Sequence, residues 1–535
     1  MKSIQFPVNN KIVYSLVYAV GAIFLAIIYY SINKNYSIDD SFITYRYADN
    51  LKNGFGLVFN VGERYYGTTA AGYAVLLAAV AVFFDALLSN ITGALPSVQN
   101  YAVGVSCFSL AIICLCFPVI VRAGDAVWRW LLSAAMAGLL FSVSAFNGVP
   151  GHETYTFLAM SLVSIVLFEK HLYIASGICL GIAATFRPDA ILFAPILLLL
   201  DWRRLRVGFW PFVVLYTVRR YIVGLSIILL PWILFVWLYF GQIIPGTMDA
   251  KKAQVAMAYW SLYSPIILYK FLIKMETLII ALECLGAFYG AYILVKSKRS
   301  GVTLQTQGAF VGVTWLLFGI GSFLFYFSIN ITFWDWYGVP VLFALVIPGF
   351  IFLEVAFDRI SLFASGLMSR GFERLTQQVV LYLLLVALTI GVSGNFLQWM
   401  RSPEQYWAHS GAYSEIVAFL KEVEPGGTSI QMPEPGSFGY HLGPSYMVID
   451  ELGIITPGVA AAFLKGDNDY ASNTYNAEYL ICGWPGLYSE CSKPTLNENF
   501  VLIGEYDFNF WESRIGHGAR LYRRKDGSRR LPRRP

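Results

Sequence analysis

Charge is scarce in this chain. Asp, Glu, Lys and Arg make up 13% of its 535 residues, hydrophobic residues 57%, and the mean hydropathy is +0.59. A soluble domain carries roughly a quarter charged residues, so most of the chain must face lipid. Recognised signatures are missing too. The sequence has no internal repeat, P-loop, dinucleotide fingerprint, His-Glu-x-x-His or paired Cys-x-x-Cys, so no nucleotide cofactor is expected. The net charge of +5 lies on basic loops and a basic tail. No stacking aromatics are interleaved with it, so membrane lipids are expected as partners and nucleic acid is not. No small-residue cleavage site follows the first apolar run, Ile12 to Tyr30, which is too long for a signal-peptide core. It reads as a retained first span. Of seven cysteines, Cys107, Cys114, Cys116, Cys179 and Cys284 fall in apolar runs and read as small core residues. Cys482 and Cys491 fall in the polar C-terminal part, where a local disulfide in an oxidising compartment is expected.

Apolar runs lie near residues 12–30, 70–88, 100–121, 130–146, 155–168, 172–200, 221–240, 277–295, 307–327, 338–357 and 379–395. They predict a polytopic α-helical membrane protein with about 10–11 transmembrane helices. Basic clusters at Arg203, Arg204 and Arg206, at Lys296, Lys298 and Arg299, and at Arg359, Arg370 and Arg374 mark cytoplasmic ends. The alternation then places 147–154, 241–260, 328–337 and everything after about residue 396 outside. Between residues 70 and 146 three runs cross an odd number of times where the flanks demand an even number, so one is re-entrant or mis-delimited. The run 172–200 is long for one crossing and short for two, and holds Arg187-Pro188-Asp189 at its middle. The simplest geometry is a hairpin of two short helices with Arg187 at its outer tip. Beyond residue 396 the composition is that of a soluble α/β module. A helix is expected over Tyr413–Val423 and strands over Thr428–Met432, Tyr446–Ile449, Glu478–Cys482, Phe500–Glu505 and Ala519–Arg523. The organisation is therefore a membrane domain over 1–395 with a first outer loop at 31–69, an extracytoplasmic α/β domain over 396–520 and a basic disordered tail over 521–535.

The polar residues gather on the outer side. Residues 37–73 form a connection far longer than two membrane helices need. It opens on Asp39-Asp40, adjacent carboxylates that favour a cation or a metal nearby. Tyr45, Arg46 and glycine turns follow, the make-up of a folded polar site that can hold substrate. Glu153 stands where the chain re-enters the bilayer. Arg187 at membrane depth needs an anion, a wet cavity, or a partner such as Asp189 or Glu153. Lys251 and Lys252 sit on the outer side, either snorkelling or facing an anionic headgroup. Trp334 and Trp336, in an aromatic outer loop, suit an interfacial belt or the stacking of a sugar ring. Acids at a reaction centre serve as general base or metal ligand, and Arg and Lys hold phosphate. Without nucleotide outside the cell, the donor must arrive through the bilayer, and a polyprenyl-phosphate sugar meets that need.

The stretch from Asp39-Asp40-Ser-Phe-Ile-Thr-Tyr-Arg-Tyr to Gly62-Glu-Arg64 resembles the first outer loop of GT-C fold glycosyltransferases. It is most similar to that of the mycobacterial terminal arabinofuranosyltransferases. In order along the chain, Gly151-His-Glu153-Thr, Arg187-Pro-Asp, Pro245-Gly-Thr-Met-Asp-Ala-Lys251 and Val448-Ile-Asp450-Glu-Leu-Gly453 resemble further motifs of that family. The resemblance implies a GT-C fold enzyme of the bacterial inner membrane that uses a polyprenyl-phosphate donor, commonly of arabinofuranose. The acceptor would be a cell-envelope glycan or a glycoprotein. It implies Asp40 and Asp39 as base and as ligands of a divalent metal (Mg, Mn or Ca), with Glu153 in support. Arg187 and Lys251 would face the donor phosphate, and Asp450 would shape the acceptor cleft. Val61 and Gly246 depart from the family's usual Pro and Asn. A hexose (mannose-type) transferase and a lipid-linked sugar flippase are the alternatives.

Overall fold

A computed structural model describes residues 8–35, 37–91, 95–121, 130, 133–134, 136–137, 149–204, 210–256, 307–329, 337–341, 343–344, 346–349, 351, 408–482, 496–507 and 518–525. The long apolar runs form helices α1 (Val8–Asn33), α3 (Ala71–Leu88), α4 (Val98–Ile120) and α8 (Trp210–Phe240). Each contains a stretch long and apolar enough to cross a membrane. Between α1 and α3 the first loop is not only turns. It opens as a further helix, α2 (Asp39–Lys52). Its two acids stand in the first turn and Lys52 in the last, as the helix dipole favours. Shorter apolar helices α5 (Thr154–Glu169) and α6 (Tyr173–Phe186) fill the middle of the bundle. With α1, α3, α4 and α8 they mark the chain as a membrane protein. Of the run 130–146 few residues are described, and the runs 277–295 and 379–395 lie outside the described residues.

Helices α6 and α8 pack backbone to backbone because Gly177 and Gly224 face across the contact. A Cβ on either would strike main-chain atoms of the other helix. The chain breaks after α6 at Arg187, where Pro188 starts a 3-10 turn, Pro188–Leu192, and then continues as α7 (Phe193–Arg204). The expected hairpin does not form. α6 lies along α8 and α5, while α7 packs on α10 (Gln307–Ile329). The break therefore opens a corner in the bundle, and Arg187 stands in it.

The C-terminal module starts with α11 (Ala408–Val423) and carries every strand read from the sequence: β1 (Ser429–Met432), β2 (Met447–Asp450), β3 (Tyr479–Cys482), β4 (Phe500–Asp507) and β5 (Gly518–Arg524). They make one mixed sheet in the order β2-β1-β3-β5-β4, with β1 parallel to β2 and β3, and β5 antiparallel to β3 and β4. A tail beginning at residue 521 would cut into β5, whose hydrogen bonds continue to Arg524. Helix α12 (Pro435–Leu442) follows β1 and lies against α2. Phe42, Ile43 and Phe59 of the loop share one apolar core with Ile430, Phe438 and Val448 of the module. Loop and module are thus a single packed unit and not a tether beside a domain.

Candidate active site

Adjacent residues on a helix point about 100° apart, and α2 uses that divergence. The Oδ1 of Asp39 accepts the backbone N–H of Ser437 at 2.7 Å, capping the first turn of α12. Asp40 points instead into a cavity of about 560 Å³, where its Oδ2 lies 3.7 Å from the Nζ of Lys251. The pair does not converge, so it does not fit the shared metal ion expected of it. Among the described residues no group of three or more His, Cys, Asp or Glu comes together either. Asp39 holds the module and Asp40 faces the cavity.

Three other segments complete the polar end of the cavity. The loop before α5 supplies His152 and Glu153, both buried. The Nδ1 of His152 lies 2.7 Å from Thr154 Oγ1 and 3.2 Å from Glu153 Oε2. Burial pushes the Glu153 carboxyl up to about 7, with the Arg187 guanidinium pulling it back. At the break after α6, Arg187 forks onto Asp189, donating from Nε at 3.2 Å and from Nη2 at 3.1 Å. The Tyr326 hydroxyl of α10 donates to the same carboxylate at 3.0 Å. Arg187 therefore both lines the cavity and has the local partner that a buried arginine needs. The third segment is α9 (Thr247–Ala256), which carries Lys251 into the site. Thr44, Thr68, Thr69 and Thr185 add hydroxyls to the lining, and one side of the wall is apolar. Leu229, Trp232 and Ile233 of α8, Ile243 and Ile244 of the loop after it, and Phe325 of α10 line it.

Several residues singled out in the sequence stand elsewhere. Tyr45 is buried and shares a hydrogen bond with Ser37 at 2.9 Å. Arg46 is 2% exposed and donates to the carbonyls of Phe59 (2.8 Å), Tyr446 (2.8 Å) and Gly439. Neither lines the cavity; both hold loop and module together. Asn60 does the same, bonding the N–H and the C=O of Val448 on β2. The same loop is tied to α8, where Tyr239 Oη accepts the Leu57 N–H at 2.9 Å and Phe240 stacks on Tyr66 at 4.7 Å. Asp450 does not reach the cavity. Its carboxylate accepts the N–H groups of Leu452 (2.9 Å), Ile454 and Ile455 (3.2 Å). It shapes a turn whose Ile454 does line the cavity. Lys252 is half exposed and lies 3.7 Å from Asp249, off the cavity. Trp334, Trp336 and Cys491 lie outside the described residues. Cys482 is disulfide-bonded.

Sequence reasoning missed His152, Thr247, Tyr326 and Tyr337, all cavity-lining. His152 was adjacent to Glu153 in the motif, and Thr247 stands four residues before Lys251, on its face of α9. Nothing distinguished Tyr326 within its apolar run.

No family model matches the sequence, and no curated protein matches it. Solved structures do match in fold. One is the crystal structure of the Archaeoglobus fulgidus oligosaccharyltransferase tethered through a disulfide bond to an acceptor peptide containing the NVT sequon. It has a TM-score of 0.51 at 12% identity over 92% of this chain and 73% of that one. Another is the cryo-EM structure of the arabinofuranosyltransferase AftD from mycobacteria, with a TM-score of 0.50 at 13% identity. That match covers 95% of this chain but 40% of AftD, so the chain spans less than half of that protein's length. The likeness is one of fold, and it gives this chain the GT-C fold of those membrane glycosyltransferases.

Proposed function

We propose that the chain is a glycosyltransferase of the bacterial inner membrane that moves a sugar from a polyprenyl-phosphate donor to a hydroxyl of a cell-envelope glycan or glycoconjugate, on the outer face. The observation that carries this reading is the two-ended cavity. Its polar end brings a carboxylate, a lysine and a fixed Arg–Asp pair together, and its apolar side, from α8, the loop after it and α10, carries side chains that are also open to the outside of the protein. Ile233 is 39% exposed, Ile244 69% and Phe325 39%. A ligand with a prenyl tail and a charged, sugar-bearing head fits such a site.

In the reaction, Asp40 takes the proton of the acceptor hydroxyl as its oxygen bonds to the anomeric carbon. The bond from that carbon to the phosphate oxygen breaks, and the electron pair leaves with polyprenyl phosphate. Lys251 offsets the charge that grows on the leaving phosphate. Glu153, its carboxyl held up to about 7, is largely protonated below neutral pH and can donate a hydrogen bond to the bound head group. Arabinofuranose is the sugar we propose, on the likeness of the Asp39–Arg64 stretch to arabinofuranosyltransferases. Purified protein in nanodiscs, given polyprenyl-phosphate arabinofuranose or the mannose-linked lipid with a crude glycan acceptor, tests both points. Transfer from the arabinose lipid alone is expected. Transfer from the mannose lipid alone would replace the sugar, and transfer from neither would remove the enzyme reading.

A further inference from the structure

We infer that the donor's phosphoryl group seats on the first turn of α9, between the Thr247 hydroxyl and the Lys251 ammonium, and that its arrival draws Lys251 away from Asp40. The inference rests on the lipid-phosphate donor proposed above and assigns the place of its phosphate.

Arg187 is the obvious alternative cation, but its charge is already matched. Two parallel N–H bonds tie it to Asp189, and Tyr326 donates to that same carboxylate. A phosphate at Arg187 would have to compete with a bidentate partner two residues away on the same turn. On α9 the Lys251 ammonium meets Asp40 at the longer distance of 3.7 Å. Thr247 and Lys251 are four residues apart and therefore share a face, and both line the cavity. Thr247 is 7% exposed, and its hydroxyl has no hydrogen-bond partner among the described residues. A buried hydroxyl left unpaired is unfavourable, and a donor hydroxyl in a cavity calls for an acceptor from the ligand. The N-terminal end of this ten-residue helix adds partial positive charge at the same place.

The contact between Lys251 and Asp40 gives the site its second property. At 3.7 Å it is a long ion pair, and the Asp40 side chain is 31% exposed. A phosphate oxygen beside Thr247 competes for the same ammonium. The donor thereby frees the Asp40 carboxylate to meet the acceptor hydroxyl, and an acceptor that arrives without a donor meets a carboxylate still in contact with Lys251.

The test measures binding of a sugar-free polyprenyl monophosphate, with the matching polyprenol as control, to the full-length protein in zwitterionic nanodiscs. Wild type is expected to favour the phosphate. Thr247→Val, which keeps the shape and removes the hydroxyl, should weaken phosphate binding about tenfold and leave polyprenol binding unchanged. Thr247→Ser should restore it. Lys251→Met should weaken it at least as much, and Asp40→Asn should leave it equal or tighter. Phosphate binding as in wild type for both Thr247→Val and Lys251→Met would overturn the inference and leave the donor reading standing. A weakening in Asp40→Asn would refute the exchange of Lys251. Wild type that does not distinguish phosphate from alcohol would remove the donor reading and the inference together.

Discussion

Replacing Arg46 with methionine separates two accounts of the first loop. The motif makes Arg46 a candidate substrate residue, whereas the structure makes it the joint between loop and module. Its guanidinium donates to three buried carbonyls, two of them on residues about four hundred positions away in sequence. The Phe59 carbonyl also accepts from Asn50, so it keeps a partner when Arg46 is lost. The Tyr446 carbonyl loses the bond that Arg46 makes to it. Hydrogen bonds to a charged donor contribute about 1.5–3 kcal/mol each, and breaking a buried charged network costs about 3–5 kcal/mol. Some of that is recovered by the carbonyl that stays paired, which leaves about 3 kcal/mol, or roughly a hundredfold in the opening of the joint. Native-state hydrogen exchange reads that opening at the amides of β2 and α12, and limited proteolysis reads it as faster release of the module. Arg46→Met should raise both by about two powers of ten. Arg46→Lys, which keeps the charge and loses the fork, should fall between. Unchanged exchange together with a raised KM for donor or acceptor would refute the joint and return Arg46 to the substrate.

Three further outcomes follow from the same contacts. A Cβ at Gly246 would strike the Tyr65 hydroxyl and ring. Gly246→Ala should therefore displace the start of α9 and cut transfer about tenfold or more, and Tyr65→Leu in the same chain should recover most of it. Burial holds the Asp450 carboxyl up to about 7 from its ordinary 3.8, against the pull of the Leu452, Ile454 and Ile455 amides. The folded module thus binds a proton that the unfolded chain has released. Its stability should fall as pH rises from about 4 to about 7, and Asp450→Asn should flatten that slope in thermal unfolding scans. Asp39→Asn retains an oxygen for the Ser437 N–H, so hydrogen exchange in α12 should change by less than about threefold; loss of the module's protection would show that more than one hydrogen bond depends on that charge.

Much of the architecture was legible because lipid and water impose different compositions. Low charge and long apolar runs marked the membrane helices, and Gly and Pro turns between β-branched runs marked the strands of the module. Arg187-Pro188 announced a break in an otherwise apolar run, since proline ends a helix and an arginine there needs a partner. The direction taken after the break was not legible. It depends on α6 finding the glycine-lined face of α8, a contact between residues far apart in sequence. The roles of Asp39 and Asp40 were hidden for a related reason. Adjacent acids look equivalent until the helical phase of α2 is known, and that phase is set by α12, some four hundred residues downstream. Arg46 stood in the motif as a candidate substrate contact and Asp450 as a residue shaping the acceptor cleft. Here each is engaged by backbone groups: Arg46 by carbonyls, Asp450 by amides.

We propose that Asp40 alone of the acidic pair does the chemistry. The direct measurement is kcat/KM for sugar transfer from the polyprenyl-phosphate donor by wild type, Asp40→Asn and Asp39→Asn, with donor binding measured alongside. Asp40→Asn should bind donor and lose at least about a hundredfold in transfer, and Asp39→Asn should stay within about tenfold of wild type. Transfer that survives in Asp40→Asn, or collapses in Asp39→Asn with the module still docked, would contradict it.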